Sequence, residues 1–255
     1  MTAGPQHVHR TASAGFVDGE LYERGRPNYP GGTVDALRIT KGTTVVDLGC
    51  GTGKFTGLLS SAGAAVTGVE PLAAMLTTFR TRWPNIPVVA GIAEAMPFED
   101  RRFDVVTCAS AFHWFNHELA LPELHRVLRP GGRLGIVWNR RDRIEGWAAE
   151  FWAITEAYRR DTPGYRSGAW RAALEGSSLF GPIEEHSFDH VQKLDIDGLL
   201  ARMRSASFIE ILPADERDAV LERARRFVES HPDTKDREIL ELPYHTVVYI
   251  AARLD

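Results

Sequence analysis

The chain has 255 residues, 44% of them apolar and 25% charged, with a formal net charge of −4; that balance excludes fibrous and disordered classes and leaves enough chain to bury a sizeable core. Its 34 acids outnumber its 30 bases and no run of five like charges occurs, so bulk charge does not call for a nucleic-acid partner. No apolar run approaches the ~20 residues of a membrane span, residues 1–16 lack a signal peptide's apolar core, and Cys50 and Cys108 have no CxxC partner, which predicts a cytoplasmic protein with neither a disulfide framework nor a thiolate metal site.

From about Thr43 short β-branched runs alternate with helical stretches. The pattern predicts strands at 44–48, 65–69, 87–90, 103–109 and 133–138, with helices at about 54–62, 72–82 and 118–128, the last closed by the turn Arg129-Pro130-Gly131-Gly132. Five parallel strands joined by right-handed crossovers make an open, doubly wound α/β sheet. Helices at about 147–160 and 167–175 then precede a strand at 183–191. Further helices at about 196–205 and 214–229 precede a last strand at 245–252. With no repeat or long linker, residues 1–255 read as a single unit. An N-terminal lid is expected at about 16–40, with helical cap insertions at about 140–181 and 193–243.

The segment Val45-Val46-Asp47-Leu48-Gly49-Cys50-Gly51-Thr52-Gly53 runs a buried strand into a glycine-rich turn at a helix start, where backbone N–H groups can approach a ligand closely. A dinucleotide GxGxxG fingerprint fails because Lys54 stands where its last glycine belongs. A P-loop fails because Phe55 follows Lys54 and Leu48 holds the first glycine position.

Asp47-Leu48-Gly49-Cys50-Gly51-Thr52-Gly53 instead resembles motif I of the class I S-adenosylmethionine-dependent methyltransferases. Further motifs follow in the family's order: Val66-Thr67-Gly68-Val69-Glu70-Pro71, Gly91-Ile92-Ala93-Glu94-Ala95-Met96-Pro97-Phe98, Phe103-Asp104-Val105-Val106, and Leu128-Arg129-Pro130-Gly131-Gly132-Arg133-Leu134. Tyr22-Glu23-Arg24-Gly25-Arg26-Pro27-Asn28-Tyr29-Pro30 and Ala111-Phe112-His113-Trp114-Phe115 resemble the YxxxRPxYP lid and HWF segment of a small-molecule branch that includes trans-aconitate-methyltransferase-like proteins. The resemblance implies a Rossmann-like, mostly parallel seven-stranded sheet with an antiparallel last strand and a helical cap, and S-adenosylmethionine as cofactor.

It also implies a set of cofactor contacts. Asp47 accepts from the donor's ammonium group, directly or through water; Gly49, Cys50, Gly51 and Gly53 bring the backbone close; Glu70 accepts from the ribose hydroxyls. Pro71 and Leu72 pack on adenine, whose amino group is held by backbone near Ala93 or by the Glu94 side chain, because Ile92 replaces the aspartate of many relatives. Ala109 ends the fourth strand beside the donor. Arg26 pairs with the donor's carboxylate, and Tyr22 lies near the sulfonium with a catalytic part in alignment. Read without the family, Asp47 is a helix-capping acid and Glu70 a solvated strand end.

His113 is the candidate general base or else a satisfied packing histidine, and only an acceptor that must lose a proton needs a base. His113 and His117 have helical i, i+4 spacing, but Trp114 stands at the HExxH glutamate position and no third ligand follows, so no metal is expected. Among Trp114, Phe115, Trp138, Trp147, Trp152, Trp170 and Phe208, most read as core and a minority as walls of an apolar pocket. Phe98 fits core or adenine packing equally. Ser205, Ser207 and Arg202–Arg204 read as solvated surface.

The function expected is methylation of a small molecule at oxygen, on a carboxylate or a hydroxyl, by a monomer or homodimer. The strand end Cys108-Ala109-Ser110-Ala111 lacks the [DNS]PP[YFW] tetrad of nucleic-acid amine methylation. The alternative is a non-catalytic S-adenosylmethionine-binding sensor or partner subunit, and a nicotinamide oxidoreductase is weaker still.

Overall fold

A computed structural model describes residues 8–141 and 143–255. Strands β1 (Thr44–Leu48), β2 (Ala65–Glu70), β3 (Val88–Ala90), β4 (Phe103–Ala109), β5 (Leu128–Arg140), β6 (Glu184–Leu194) and β7 (Leu240–Ala252) form one sheet in the order β3-β2-β1-β4-β5-β7-β6. The first five are mutually parallel, and β7 runs antiparallel between β5 and β6. This is the Rossmann-like methyltransferase sheet that the motifs imply. Inner strands are apolar on both faces because helices cover both, whereas edge strand β6 alternates half-buried and exposed residues. Chain order reverses between β1 and β4, which places a crevice beyond their carboxyl ends.

The sheet departs most from the expected bounds at the starts of β5 and β7. β5 starts at Leu128 rather than 133: Leu128 pairs with Phe103, the register then shifts, and pairing resumes at Arg133. The Pro-Gly-Gly segment is therefore an irregularity inside the strand, with Gly131 at φ 73°. β7 starts at Leu240 rather than 245, and the β6–β7 ladder extends beyond the β5 pairing, which stops at Arg140 opposite His245. Pro243 is tolerated because β7 has no neighbour on its β5 side at that point.

The inserted helices have a core of their own. Phe151 and Trp152 of α7 (Gly146–Glu156), Leu199 and Met203 of α9 (Ile196–Arg204), and Val220 and Ala224 of α11 (Ala214–Ser230) pack with Leu242 and Tyr244. Residues 10–36 form three short helices, Arg10–Gly15, Gly19–Gly25 and Gly32–Ala36. The second crosses α9 so closely that a Cβ on Gly25 would lie 2.5 Å from the Ala201 carbonyl oxygen, a contact only glycine permits. Among the described residues, no helix is long and apolar enough to cross a membrane.

Candidate active site

The crevice opens into a cleft with about 1380 Å³ of empty space, its mouth included. Gly49 and Gly51 turn the chain after β1 with φ of 62° and 56°, the left-handed region where a side chain is strained. Glu70, at the tip of β2, is 4% exposed. Its Oε2 accepts from the Gly51 N–H at 3.0 Å and its Oε1 from the Leu72 N–H at 2.9 Å. Burial outweighs those two bonds and pushes its carboxyl up to about 7. Tyr22 covers the loop from above, with Arg26 stacked 5.0 Å from its ring centroid.

The cleft brings together Tyr22, Arg26, Gly49, Gly51, Glu70, Pro71, Ala93, Glu94, Ala109 and His113. One oxygen of Glu94 accepts from the Asn116 N–H at 2.7 Å, at the start of the helix His117–Val127, so only its second oxygen is uncommitted among the described residues. Arg26 is half-buried. It donates through Nη2 to the Ser205 carbonyl at 2.6 Å, but its buried Nε has no acceptor. Burial and the neighbouring Arg202 lower it to about 10.

Asp47, Cys50 and Gly53 do not line this cleft. Asp47 is fully buried, and its two oxygens accept from the hydroxyls of Thr56 at 2.6 Å and Thr107 at 2.8 Å. The carboxylate expected at the donor's ammonium group instead ties β1 to the following helix, α4 (Lys54–Ser61), and to β4, and burial pushes it up to about 6. Cys50 is buried, its thiol raised by desolvation. Gly53 caps α4 at φ 89°, with Trp83 over it.

His113 lines the cleft, but its environment does not suit a base. Trp138 donates its indole N–H to Nδ1 at 3.3 Å. Burial and nearby Arg26 and Arg159 hold the imidazole down to about 3. His117 points elsewhere, its Nε2 against the Phe112 carbonyl at 3.0 Å.

A family model for a methyltransferase domain matches residues 46–136, the segment that supplies the glycine loop, Glu70 and His113. A methyltransferase-like protein of Schizosaccharomyces pombe is 35% identical to this chain, the match covering 89% of it and 91% of the relative. A methyltransferase of Mycobacterium tuberculosis is 38% identical, with coverage of 89% and 90%. The chain belongs to the class I S-adenosylmethionine-dependent methyltransferases. Its fold agrees with the solved structure of a candidate type II methyltransferase from Anaeromyxobacter dehalogenans, at a TM-score of 0.66 and 22% identity over 89% of this chain and 96% of that one.

The methyltransferase cleft holds residues that sequence reasoning placed elsewhere. Arg202, Ser205 and Ser207 are each 4% exposed, not solvated surface, and Arg202 and Ser207 line the cleft. The polar pattern at 202–207 reads as surface because the elements that bury it, Gly19–Gly25 and β7, are remote in sequence. Trp114, Phe115, Trp138 and Phe208 line the cleft, while Trp147, Trp152 and Trp170 do not. Phe98 packs edge-on against Phe103 at 5.0 Å, in the core. Ser110, directly after β4, adopts φ 56°, an unusual conformation for a side-chain-bearing residue. Its N–H bonds the Val137 carbonyl and its hydroxyl meets Tyr29 Oη at 3.0 Å; backbone strain of this kind concentrates at functional sites. No local sequence signal marks it.

Proposed function

We propose that this methyltransferase binds S-adenosylmethionine along the glycine loop and methylates a small-molecule acceptor at oxygen, on a carboxylate or a hydroxyl. The observation that carries the reading is that one cleft is lined both by the Gly49–Gly51 turn with buried Glu70 and by Trp114, Trp138 and Phe208. Bound donor supplies an electrophilic methyl group, and no covalent enzyme intermediate is needed, so alignment and exclusion of water can carry most of the acceleration.

The donor end fits the cofactor's parts. Glu70 is held by two backbone amides with lone pairs left for the ribose hydroxyls. Pro71 and Leu72 present apolar surface beside Ala93 for the adenine. Arg26 has a buried Nε–H without an acceptor, as a carboxylate partner requires. Tyr22 closes the loop from the N-terminal side. The state of His113 favours a carboxylate acceptor, which is already ionised, over a hydroxyl that must surrender a proton.

Titration calorimetry with S-adenosylmethionine and S-adenosylhomocysteine, followed by label transfer to paired acids and alcohols, tests the proposal. Micromolar binding of both nucleosides and label on an acid or alcohol oxygen are expected. Preferential binding of NAD, or donor binding with no transfer to any acceptor, would overturn it.

A further inference from the structure

The lining of the cleft is uneven in charge. Its only lining acids among the described residues are Glu70, bonded to the Gly51 amide, and Glu94. Against these stand Arg26, which the donor's carboxylate can pair with, and Arg141, Arg159 and Arg202; of the four only Arg159 has a carboxylate partner among the described residues, Glu156 at 3.2 Å. S-adenosylmethionine brings one carboxylate, an ammonium and a sulfonium, a net charge of +1, so it leaves most of this positive charge uncompensated.

Arg141 and Arg202 share Trp152: their guanidinium carbons lie 3.6 Å and 5.0 Å from its ring centroid. Arg202 donates through Nε to Tyr244 Oη at 2.7 Å, and Tyr244 donates onward to Gln192 at 3.2 Å, so this pair engages only the Nε–H of the guanidinium. Nη1 of Arg141, on the cleft lining, is a buried donor with no acceptor. Unpaired donors and adjacent desolvated cations are costly unless a ligand supplies acceptor oxygens. Burial and Arg202 both lower the Arg141 guanidinium, the mark of a cation lacking its counter-charge.

Resting on the proposed methyltransferase reading, we infer that Arg141 and Arg202 form an anion subsite that anchors a carboxylate of the acceptor, with its apolar body between Trp138, Tyr165 and Phe208. A carboxylate has only acceptor oxygens, which matches two neighbouring guanidinium groups that can only donate. The anchored group is distinguished from neutral analogues by the charge it neutralises. An acceptor with an aromatic or aliphatic body and at least one carboxylate is the class that fits.

The test titrates phenylacetate, 3-phenylpropionate, their neutral amides and phenyl phosphate into protein saturated with S-adenosylhomocysteine, following heat and Trp fluorescence. At least one acid is expected to bind tenfold or more tighter than its amide. Arg141→Met, which keeps a long side chain on Trp152, should abolish that preference while leaving S-adenosylhomocysteine affinity within twofold, and Arg141→Lys should restore part of it. Equal binding of acid and amide, no binding of either acid, binding of phenyl phosphate alone, or an unchanged preference in Arg141→Met would each overturn the subsite. If S-adenosylhomocysteine itself fails to bind, the donor reading falls, and the same titrations into the free protein decide the anion subsite separately.

Discussion

The indole N–H of Trp138 lies 3.3 Å from Nδ1 of His113, and because an indole nitrogen only donates, that contact places the imidazole proton on Nε2. The neutral ring then carries its proton on Nε2 and has no free lone pair with which to take another. Its low affinity for a second proton, down at about 3, keeps it neutral throughout the physiological range. Imidazole ¹⁵N shifts should show an Nε2–H tautomer with no titration between pH 5 and 8, and Trp138→Phe should release a mixture of tautomers. On a carboxylate acceptor, His113→Gln should retain turnover within about tenfold, whereas loss of a positioned base costs roughly 10²–10⁴. Titration near 6.5 would return His113 to the role of base.

Glu70 should make cofactor binding pH-dependent. Its carboxyl sits at about 7 in the free protein, and accepting hydroxyl protons from a ribose favours the ionised form and lowers that value in the complex. Below pH 7, binding must therefore release a proton, and affinity for S-adenosylhomocysteine should fall as pH drops from 7.5 to 6. Calorimetry in buffers of different ionisation enthalpy measures the released proton directly. Glu70→Gln should remove it and weaken binding roughly 10–100-fold, the equivalent of ~1.5–3 kcal/mol for a charge-assisted hydrogen bond. Proton uptake, or none, would exclude Glu70 from the ribose.

Much of this site was legible before the fold was known, because the chemistry of the donor end is local in sequence. Strand, glycine turn and acid follow one another within Val45–Glu70, and the cleft indeed gathers Gly49, Gly51, Glu70 and Pro71. The same locality misled at Asp47. Its motif position suggested a ligand contact, yet Thr107, 60 residues away, and Thr56 take both carboxylate oxygens. The acceptor end was not legible. Arg141 follows β5, Arg202 lies on α9 and Tyr165 between them, and only the pairing of β7 with β5 and β6 assembles these segments. The start of β7 is written in the alternation of Leu240, Leu242 and Tyr244, buried, with Glu241 and Pro243, exposed, but a proline inside such a run speaks against a strand, and only the end of β5 at Arg140 makes it acceptable there.

Asp47 should behave as a structural carboxylate with an inverted pH signature. Its pKa is raised by burial to about 6 from 3.8, so its contribution is fully present below pH 3.8 and is lost as pH rises through 6, by on the order of 3 kcal/mol. Asp47→Asn keeps the shape and removes the buried charge, and the hydroxyls of Thr56 and Thr107 can turn to suit it. Its unfolding free energy should consequently lose this pH dependence and match or exceed wild type at pH 8. Asp47→Ala should cost about 1–3 kcal/mol by orphaning the Thr56 hydroxyl and leaving that of Thr107 only the Val46 carbonyl at 3.5 Å. S-adenosylhomocysteine affinity should change less in Asp47→Asn than in Glu70→Gln. The reverse order would restore Asp47 to the cofactor.

The N-terminal segment is fastened by Glu23, whose side chain is only 7% exposed. One oxygen accepts from the hydroxyl of Thr52 in the glycine loop. The other pairs with Lys54 at 3.1 Å and Arg82 at 3.2 Å. These partners belong to the loop and to the helices Lys54–Ser61 and Ala73–Arg82, so one carboxylate links the helix carrying Tyr22 to three parts of the donor end. If this segment covers bound cofactor, occupancy and fastening must be linked, because both hold the same helix in place. Glu23→Ala should accelerate tryptic cleavage at exposed Arg24 in the free protein, and saturating S-adenosylhomocysteine should protect wild type more than the variant. The variant should also bind the nucleoside more weakly, mainly through faster dissociation. Cleavage at Arg24 that is indifferent to ligand in both proteins would make the segment plain scaffold, and the contact of Tyr22 with the loop would then carry no part in retaining the cofactor.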